Sequence, residues 1–233
     1  MAGTVALGGS GEYTEAMLDV EAGLLAGRPP RYVQLPTAAG REGTERIGYW
    51  VELGRAQAAR IGVEAVPIVA LDRAHADDPD LAAQVAGAGL IYLSGGDPGY
   101  LADTLRDTAL WRAIVAEWQA GTPLAGCSAG AMVMAARVPA LRRPGAEPKA
   151  GLGLLPHIQV LPHFDRMLGW MPDLLTRPFL RPRPGVHLVG VDEDTALVGG
   201  PEEFTVRGRQ SAWLLGDGRR QRYPAGSTLT LPA

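Results

Sequence analysis

Between residues 4 and 136 the hydrophobic pattern switches repeatedly between two periods. Short apolar runs at residues 4–7, 31–36, 63–71, 89–97 and 123–127 read as buried strands. Between them, residues 15–25, 44–61, 80–88 and 98–119 carry apolar positions at helical spacing. In 44–61 these fall at 47, 50 or 51, 54 and 58, close to a 3.6-residue period, and 98–119 is helical in one piece or two. A final run of small and apolar residues, 129–136, reads as a helix packed tightly on a sheet. Apolar strands alternating with amphipathic helices predict an α/β fold, a mostly parallel doubly wound sheet with helices on both faces. After residue 137 the pattern changes. Strands are predicted at 158–164, 186–191, 196–199, 203–215 and 227–231, with a helix at 165–175 and a hairpin tip at Gly216-Asp217-Gly218. Strands without intervening helices imply a C-terminal antiparallel β extension that closes one edge of the sheet.

Ligands of such sheets bind at the carboxyl ends of the strands. Four polar or glycine-rich segments fall there: Gly8-Gly9-Ser10-Gly11, residues 37–40, Gly95-Gly96-Asp97, and Ser128. The first fits neither the dinucleotide fingerprint nor the P-loop, and reads as a tight strand-to-helix turn. Around Ser128 the chain runs Gly126-Cys127-Ser128-Ala129-Gly130, a G-x-S-x-G pattern between a strand and a helix. A strand that turns at once into a helix projects the middle side chain from the sheet, and the flanking glycines let neighbouring backbone approach. Cys127 is a rival thiol nucleophile, of the kind glutamine amidotransferases use. The glycine spacing favours Ser128, because positions 125 and 129 are alanine.

A serine hydroxyl needs a base within hydrogen-bond reach, and the base an acid that fixes its tautomer. Of four histidines, His75 lies in a polar stretch and reads as a surface residue, and His187 opens a strand and reads as packing or capping. His157, in a loop, and His163, at the end of a strand on the Ser128 edge, both stand as candidates. Asp192-Glu193-Asp194 follows the strand 186–191 and supplies the acid. The chain order Ser, His, acid differs from the α/β-hydrolase order. The Ala129 N–H and one from the Gly95-Gly96 loop would form an oxyanion hole.

Composition narrows the reading. The 233 residues are 46% hydrophobic and 20% charged, with a net charge of −3 and both signs interspersed, so a basic stripe for nucleic acid is absent. No apolar run approaches the ~20 residues that span a bilayer, so a membrane partner is not expected. The N-terminus lacks a signal-peptide pattern, which makes the cytoplasm the expected location. One cysteine excludes an internal disulfide, and no Cys/His cluster calls for zinc. The proline cluster at 178–184 marks a loop, no linker divides the chain, and one domain over residues 1–233 is expected.

Gly95-Gly96-Asp97 after a strand, Gly126 to Ala131, Pro162-His163-Phe164 and Gly190 to Ala196, in this order, resemble peptidase family S51. That family includes dipeptidase E and cyanophycinase, on the class I glutamine amidotransferase-like fold. The resemblance implies that Ser128 is the nucleophile, His163 the base and Glu193 the acid, with Gly96 and Ala129 as oxyanion-hole amides and no metal or organic cofactor. Both activities cleave after an aspartyl unit, whose carboxylate calls for a cation. Arg166, Arg177, Arg181 and Arg183 are candidates, and Asp97 and Arg166 are the residues assigned to substrate binding. The sequence departs from cyanophycinases at Pro162, where Gln is usual, at Pro98, and in lacking an arginine-rich segment after His163. The expectation is a serine peptidase acting on small aspartyl peptides, as a monomer or homodimer. The alternatives are a cyanophycinase and a non-catalytic amidotransferase-like binding protein.

Overall fold

A computed structural model of the chain describes residues 2–139, 147–169, 182–216 and 219–233. Among these, the strands of the first half are β1 (Val5–Gly8), β2 (Arg31–Leu35), β3 (Glu64–Pro67), β4 (Leu90–Leu93) and β5 (Leu124–Cys127). They alternate with α1 (Leu18–Leu25), α2 (Thr44–Ile61), the short α3 (Arg73–Asp77) and α4 (Pro79–Ala83), α5 (Pro98–Leu105), α6 (Ala109–Gln119) and α7 (Ala129–Met132). The small ladder β6 (Arg137–Val138) and β7 (Lys149–Ala150) follows. The second half holds β8 (Ile158–Leu161), β9 (His187–Val191), β10 (Thr195–Gly199), β11 (Glu203–Gly208), β12 (Ser211–Gly216), β13 (Arg219–Pro224) and β14 (Thr228–Thr230).

The central sheet has the order β14-β11-β10-β1-β5-β4-β2-β3. β1, β5, β4, β2 and β3 are parallel, while β10, β11 and β14 add to the β1 edge as antiparallel ladders. Both faces of the parallel part are covered, which explains why β1, β4 and β5 are buried along their whole length. One face presents Val5, Leu7, Val33, Leu35, Ile91, Leu93 and Leu124 to the helices α3 to α7. Alternate residues, Ala6, Tyr32, Leu90, Tyr92, Ala125 and Cys127, face α1 and α2. Burial of each large side chain stabilises the fold by roughly 1.5–3 kcal/mol relative to exposure. The predicted architecture therefore stands.

Several boundaries differ, each for a local reason. The strand expected at 63–71 stops at Pro67, which sits on the edge strand while Ile68 N makes the last bond to β2, to Gln34 O at 2.8 Å. The helix at 80–88 is α4 followed by turns, and 98–119 is two helices, because Thr108 caps the second through Trp111 N at 3.3 Å. The helix at 129–136 ends at Met132. Of the helix at 165–175, Asp165–Gly169 forms a wide helical turn and 170–175 lies outside the described residues. The proline loop at 178–184 and the hairpin tip at Asp217-Gly218 also fall wholly or partly outside them. The run 203–215 is not one strand. It breaks after Gly208, at φ 101°, and its second half joins a different sheet.

That second sheet, β13-β12-β9-β8, pairs β8 and β9 in parallel, with Leu161 opposite Gly190. The carboxyl ends of β8 and β9 therefore lie side by side. His163 and Glu193 each stand two residues beyond those ends.

Candidate active site

The glycine loop after β1 joins the two sheets. Gly8 O accepts from Ser128 N at 2.9 Å, Gly9 O from His163 N at 3.3 Å, and Gly9 N donates to Thr195 O at 2.9 Å. A side chain at Gly9 would collide with the main chain of Val191 and Asp192, so this glycine permits the close crossing of β1 and the end of β9. The loop thus serves assembly of the site.

Ser128 sits at φ 50°, ψ −107° between β5 and α7, a backbone conformation that a non-glycine residue adopts only when its surroundings enforce it. The enforcement is visible on both sides. A Cβ at Gly126 would overlap the Gly130 carbonyl, and one at Gly130 would overlap Leu93 O. His163 and Asp194 also hold positive φ, at 50° and 52°. Three strained non-glycine residues converge on one place.

His163 Nε2 lies 3.1 Å from Ser128 Oγ, and its Nδ1 lies 3.1 Å from Glu193 Oε1. A carboxylate only accepts, so Nδ1 carries the hydrogen and Nε2 is left with a lone pair toward the hydroxyl. His163 and Glu193 are each about one-third exposed, at 35% and 30%. Such an edge gives a substrate access while keeping the imidazole partly shielded. The Glu193 main-chain N–H donates to Asp165 Oδ1 at 2.9 Å. Gln210 Nε2 reaches Asp165 Oδ2 at 3.3 Å and Glu193 O at 3.0 Å. Of the three consecutive acids, Glu193 alone contacts His163 in the hydrogen bonds described. Asp192 accepts from Trp213 Nε1 at 2.9 Å and Ser211 N at 3.2 Å, and burial raises its carboxyl pKa. Asp194 faces Arg209 at 3.7 Å.

The other histidines have different partners: His157 Nε2 contacts Pro201 O at 3.0 Å, His187 Nε2 contacts Pro232 O at 2.9 Å, and His75 lies against Asp72. His157, held open by the sequence, is not at the serine.

Gly95 and Gly96 run beside the elbow. A Cβ at Gly95 would stand 3.5 Å from Ser128 Cβ, and Gly96, at φ 140°, is pressed against the Ala38 carbonyl. Ala129 is the first residue of α7. Asp97 caps α5, accepting from Tyr100 N at 3.0 Å, with Arg41 Nη1 at 3.7 Å. Arg166 extends into solvent with its Nε 3.3 Å from Glu193 Oε2. Arg177 and Arg181 lie outside the described residues. Among the described residues, no group of three or more His, Cys, Asp or Glu could hold a metal ion, and no helix is long and apolar enough to cross a membrane.

Cys127 is buried behind the elbow, its thiol donating to Glu12 Oε2 at 3.0 Å. Burial first, and then the Glu12 carboxylate, push the thiol pKa well up, which disfavours the thiolate a cysteine nucleophile requires. Glu12, Asp165 and Gln210 were not singled out by sequence. Asp165 is two residues from His163 and Glu12 follows the β1 glycine loop, but their partners are 28 and 83 residues away, distances that no local pattern reports.

The model of peptidase family S51 matches residues 4–206. A cyanophycinase from Geminocystis herdmanii is 32% identical over 164 residues, covering 65% of this chain and 58% of that protein. A cyanophycinase from Synechococcus elongatus is 30% identical over 165 residues, 66% of this chain and 50% of that protein. The chain therefore spans little more than half the length of these relatives. A crystal structure of a peptidase from an acI-B1 Actinobacterium superposes with a TM-score of 0.88 at 42% identity, covering 99% of this chain and 97% of that one. A putative peptidase E protein from Listeria monocytogenes matches with a TM-score of 0.64 at 16% identity over 89% of this chain and 99% of that one, a likeness of fold.

Proposed function

The chain belongs to peptidase family S51, and from that premise we propose that it is a serine peptidase acting on small aspartyl peptides through Ser128, His163 and Glu193. The observation that carries this reading is the pair of 3.1 Å contacts from His163, one to Ser128 Oγ and one to Glu193 Oε1, at a strained strand-to-helix turn. In the proposed reaction His163 Nε2 takes the hydroxyl proton as Ser128 Oγ attacks the scissile carbonyl carbon. The carbonyl oxygen becomes an oxyanion and rests on the Gly96 and Ala129 amides, the latter at the start of a helix. Collapse of the tetrahedral intermediate expels the amine, which takes the proton from His163, and leaves an acyl-enzyme on Ser128. Water then attacks the acyl carbon as His163 Nε2 takes its proton, the bond to Ser128 Oγ breaks to release the acid, and His163 returns the proton to Oγ. Glu193 holds the Nδ1 hydrogen and steadies the imidazolium in both halves.

Arg166, beside Glu193, is the proposed cation for the aspartyl carboxylate, and Asp97, next to Gly96, is proposed as a second substrate contact. The reading is of a cytoplasmic enzyme, monomeric or dimeric, whose chemistry draws on side chains and amides. A second reading, release of β-Asp-Arg dipeptides from cyanophycin, is favoured by the cyanophycinases among the relatives. Incubation with a panel of Asp-X dipeptides and, in parallel, with cyanophycin separates the two. Hydrolysis of Asp-X dipeptides that disappears in His163→Ala supports the first. Turnover confined to the polymer replaces it with the second, and turnover of neither leaves a binding protein.

A further inference from the structure

Two neighbouring residues after β1 clasp two neighbouring residues after β4. Tyr13 Oη and Ser94 Oγ are 2.6 Å apart in the interior, and Glu12 Oε1 accepts from Gly95 N at 3.1 Å. The second Glu12 oxygen accepts from the Cys127 thiol at 3.0 Å, one residue before Ser128. A single carboxylate therefore bridges the end of β5, which carries the nucleophile, and the end of β4, which carries the Gly95–Gly96 amides. Its place is not left to the loop. Tyr13 holds a positive φ of 63°, its ring packs against Tyr32, Trp50 and Tyr92, and its carbonyl accepts from Arg60 at 3.1 Å. A strained residue locked into the core thus presents Glu12 to the site. Gly95 is closely held as well: a Cβ there would stand 2.3 Å from Glu12 Oε1 and 3.5 Å from Ser128 Cβ.

We infer that Glu12 is a positioning residue, whose carboxylate sets the Gly95–Gly96 peptide in register with Ser128 so that the Gly96 amide meets the developing oxyanion. This rests on the serine-peptidase reading above. It differs from a purely structural role in where the loss falls. An amide that stabilises charge only in the transition state lowers kcat and the rate of covalent labelling, and leaves KM in place. Acceptance from Gly95 N needs an oxygen, not a charge, so a glutamine at position 12 suffices.

The test compares wild type, Glu12→Ala and Glu12→Gln by the second-order rate of fluorophosphonate labelling and by kcat and KM on an Asp-X dipeptide. Glu12→Ala is expected to label and turn over about 10- to 100-fold more slowly with KM within about twofold, and Glu12→Gln to recover to within about threefold of wild type. Wild-type rates in Glu12→Ala, a loss that appears in KM alone, or a Glu12→Gln as impaired as Glu12→Ala would each overturn the inference. Should Glu12→Ala not fold, Glu12→Asp, which withdraws the oxygens by one methylene, replaces it: a lowered kcat is expected and an unchanged kcat overturns. A wild type that neither labels nor hydrolyses refutes the serine-peptidase reading itself, an outcome distinct from failure at Glu12.

Discussion

Gly9→Ala is a small change placed where the two sheets cross. A Cβ at Gly9 would stand 2.2 Å from Asp192 O and 2.4 Å from Val191 O, where ordinary contact begins at 3.4 Å. Gly9 is not among the positive-φ glycines, so alanine is tolerated by the backbone itself and the effect is steric. Both clashing atoms are main-chain oxygens that cannot swing aside. Relief requires a shift of about 1 Å in the segment that leads into Glu193, at a cost of roughly 1–3 kcal/mol for overpacking. A misplacement of that size away from the chemistry lowers turnover by about 100-fold. Urea unfolding supplies the stability change, and kcat/KM on an Asp-X dipeptide the functional one. The variant is expected to fold, to unfold at lower urea, and to lose most of its turnover. Wild-type stability together with wild-type kcat/KM would show that the crossing does not hold Glu193 in place.

Burial raises the Glu21 carboxyl from 4.5 to about 7, against the opposing effect of the Tyr32 hydroxyl donating at 2.8 Å. A folded-state pKa above the unfolded value contributes stability that is complete below about pH 4.5 and is lost as pH rises through about 7, by about 3 kcal/mol at 1.36 kcal/mol per pH unit. Glu21→Gln lacks this loss, so its stability relative to wild type should rise between pH 5 and 8.5 in urea titrations; a pH-independent difference would contradict the burial argument. Cys127, buried and with a raised pKa, is expected to resist iodoacetamide in the native protein and react after denaturation, and rapid alkylation with loss of activity would reopen the thiol as nucleophile. Gly23, in α1 with nothing within 4 Å of a Cβ, should tolerate alanine with a gain of about 0.5–1 kcal/mol in urea unfolding and unchanged activity; a loss of stability would contradict the open space.

The parallel core was legible because strands buried on both faces are continuous apolar runs and the helices between them keep a 3.6-residue period. The strand ends before Ser128, His163 and Glu193 were legible one by one, but they belong to two sheets: β8 and β9 pair in parallel in the second, and the glycine loop after β1 brings their ends to the end of β5. What local pattern could not supply was partition between sheets. Residues 203–215 read as one strand, and only the Gly208 bend sends β11 to the central sheet and β12 to the second. Nor could it distinguish glycines that bend from glycines that admit a neighbour. Gly9 looked like a turn residue, yet it makes room for the chain nearly 200 residues on. Glu12, Asp165 and Gln210 escaped notice because their partners are long-range backbone groups, which leave no spacing in the sequence.

The proposed chemistry depends on Ser128 being a nucleophile activated by His163. Intact-mass spectrometry after brief exposure to a fluorophosphonate tests it most directly, with wild type, Ser128→Ala and His163→Ala in parallel. One adduct per chain is expected on wild type, mapped to the peptide containing Ser128, with none on Ser128→Ala and labelling slowed by orders of magnitude in His163→Ala. Equal labelling of wild type and Ser128→Ala, or a wild type inert to the probe, would contradict it.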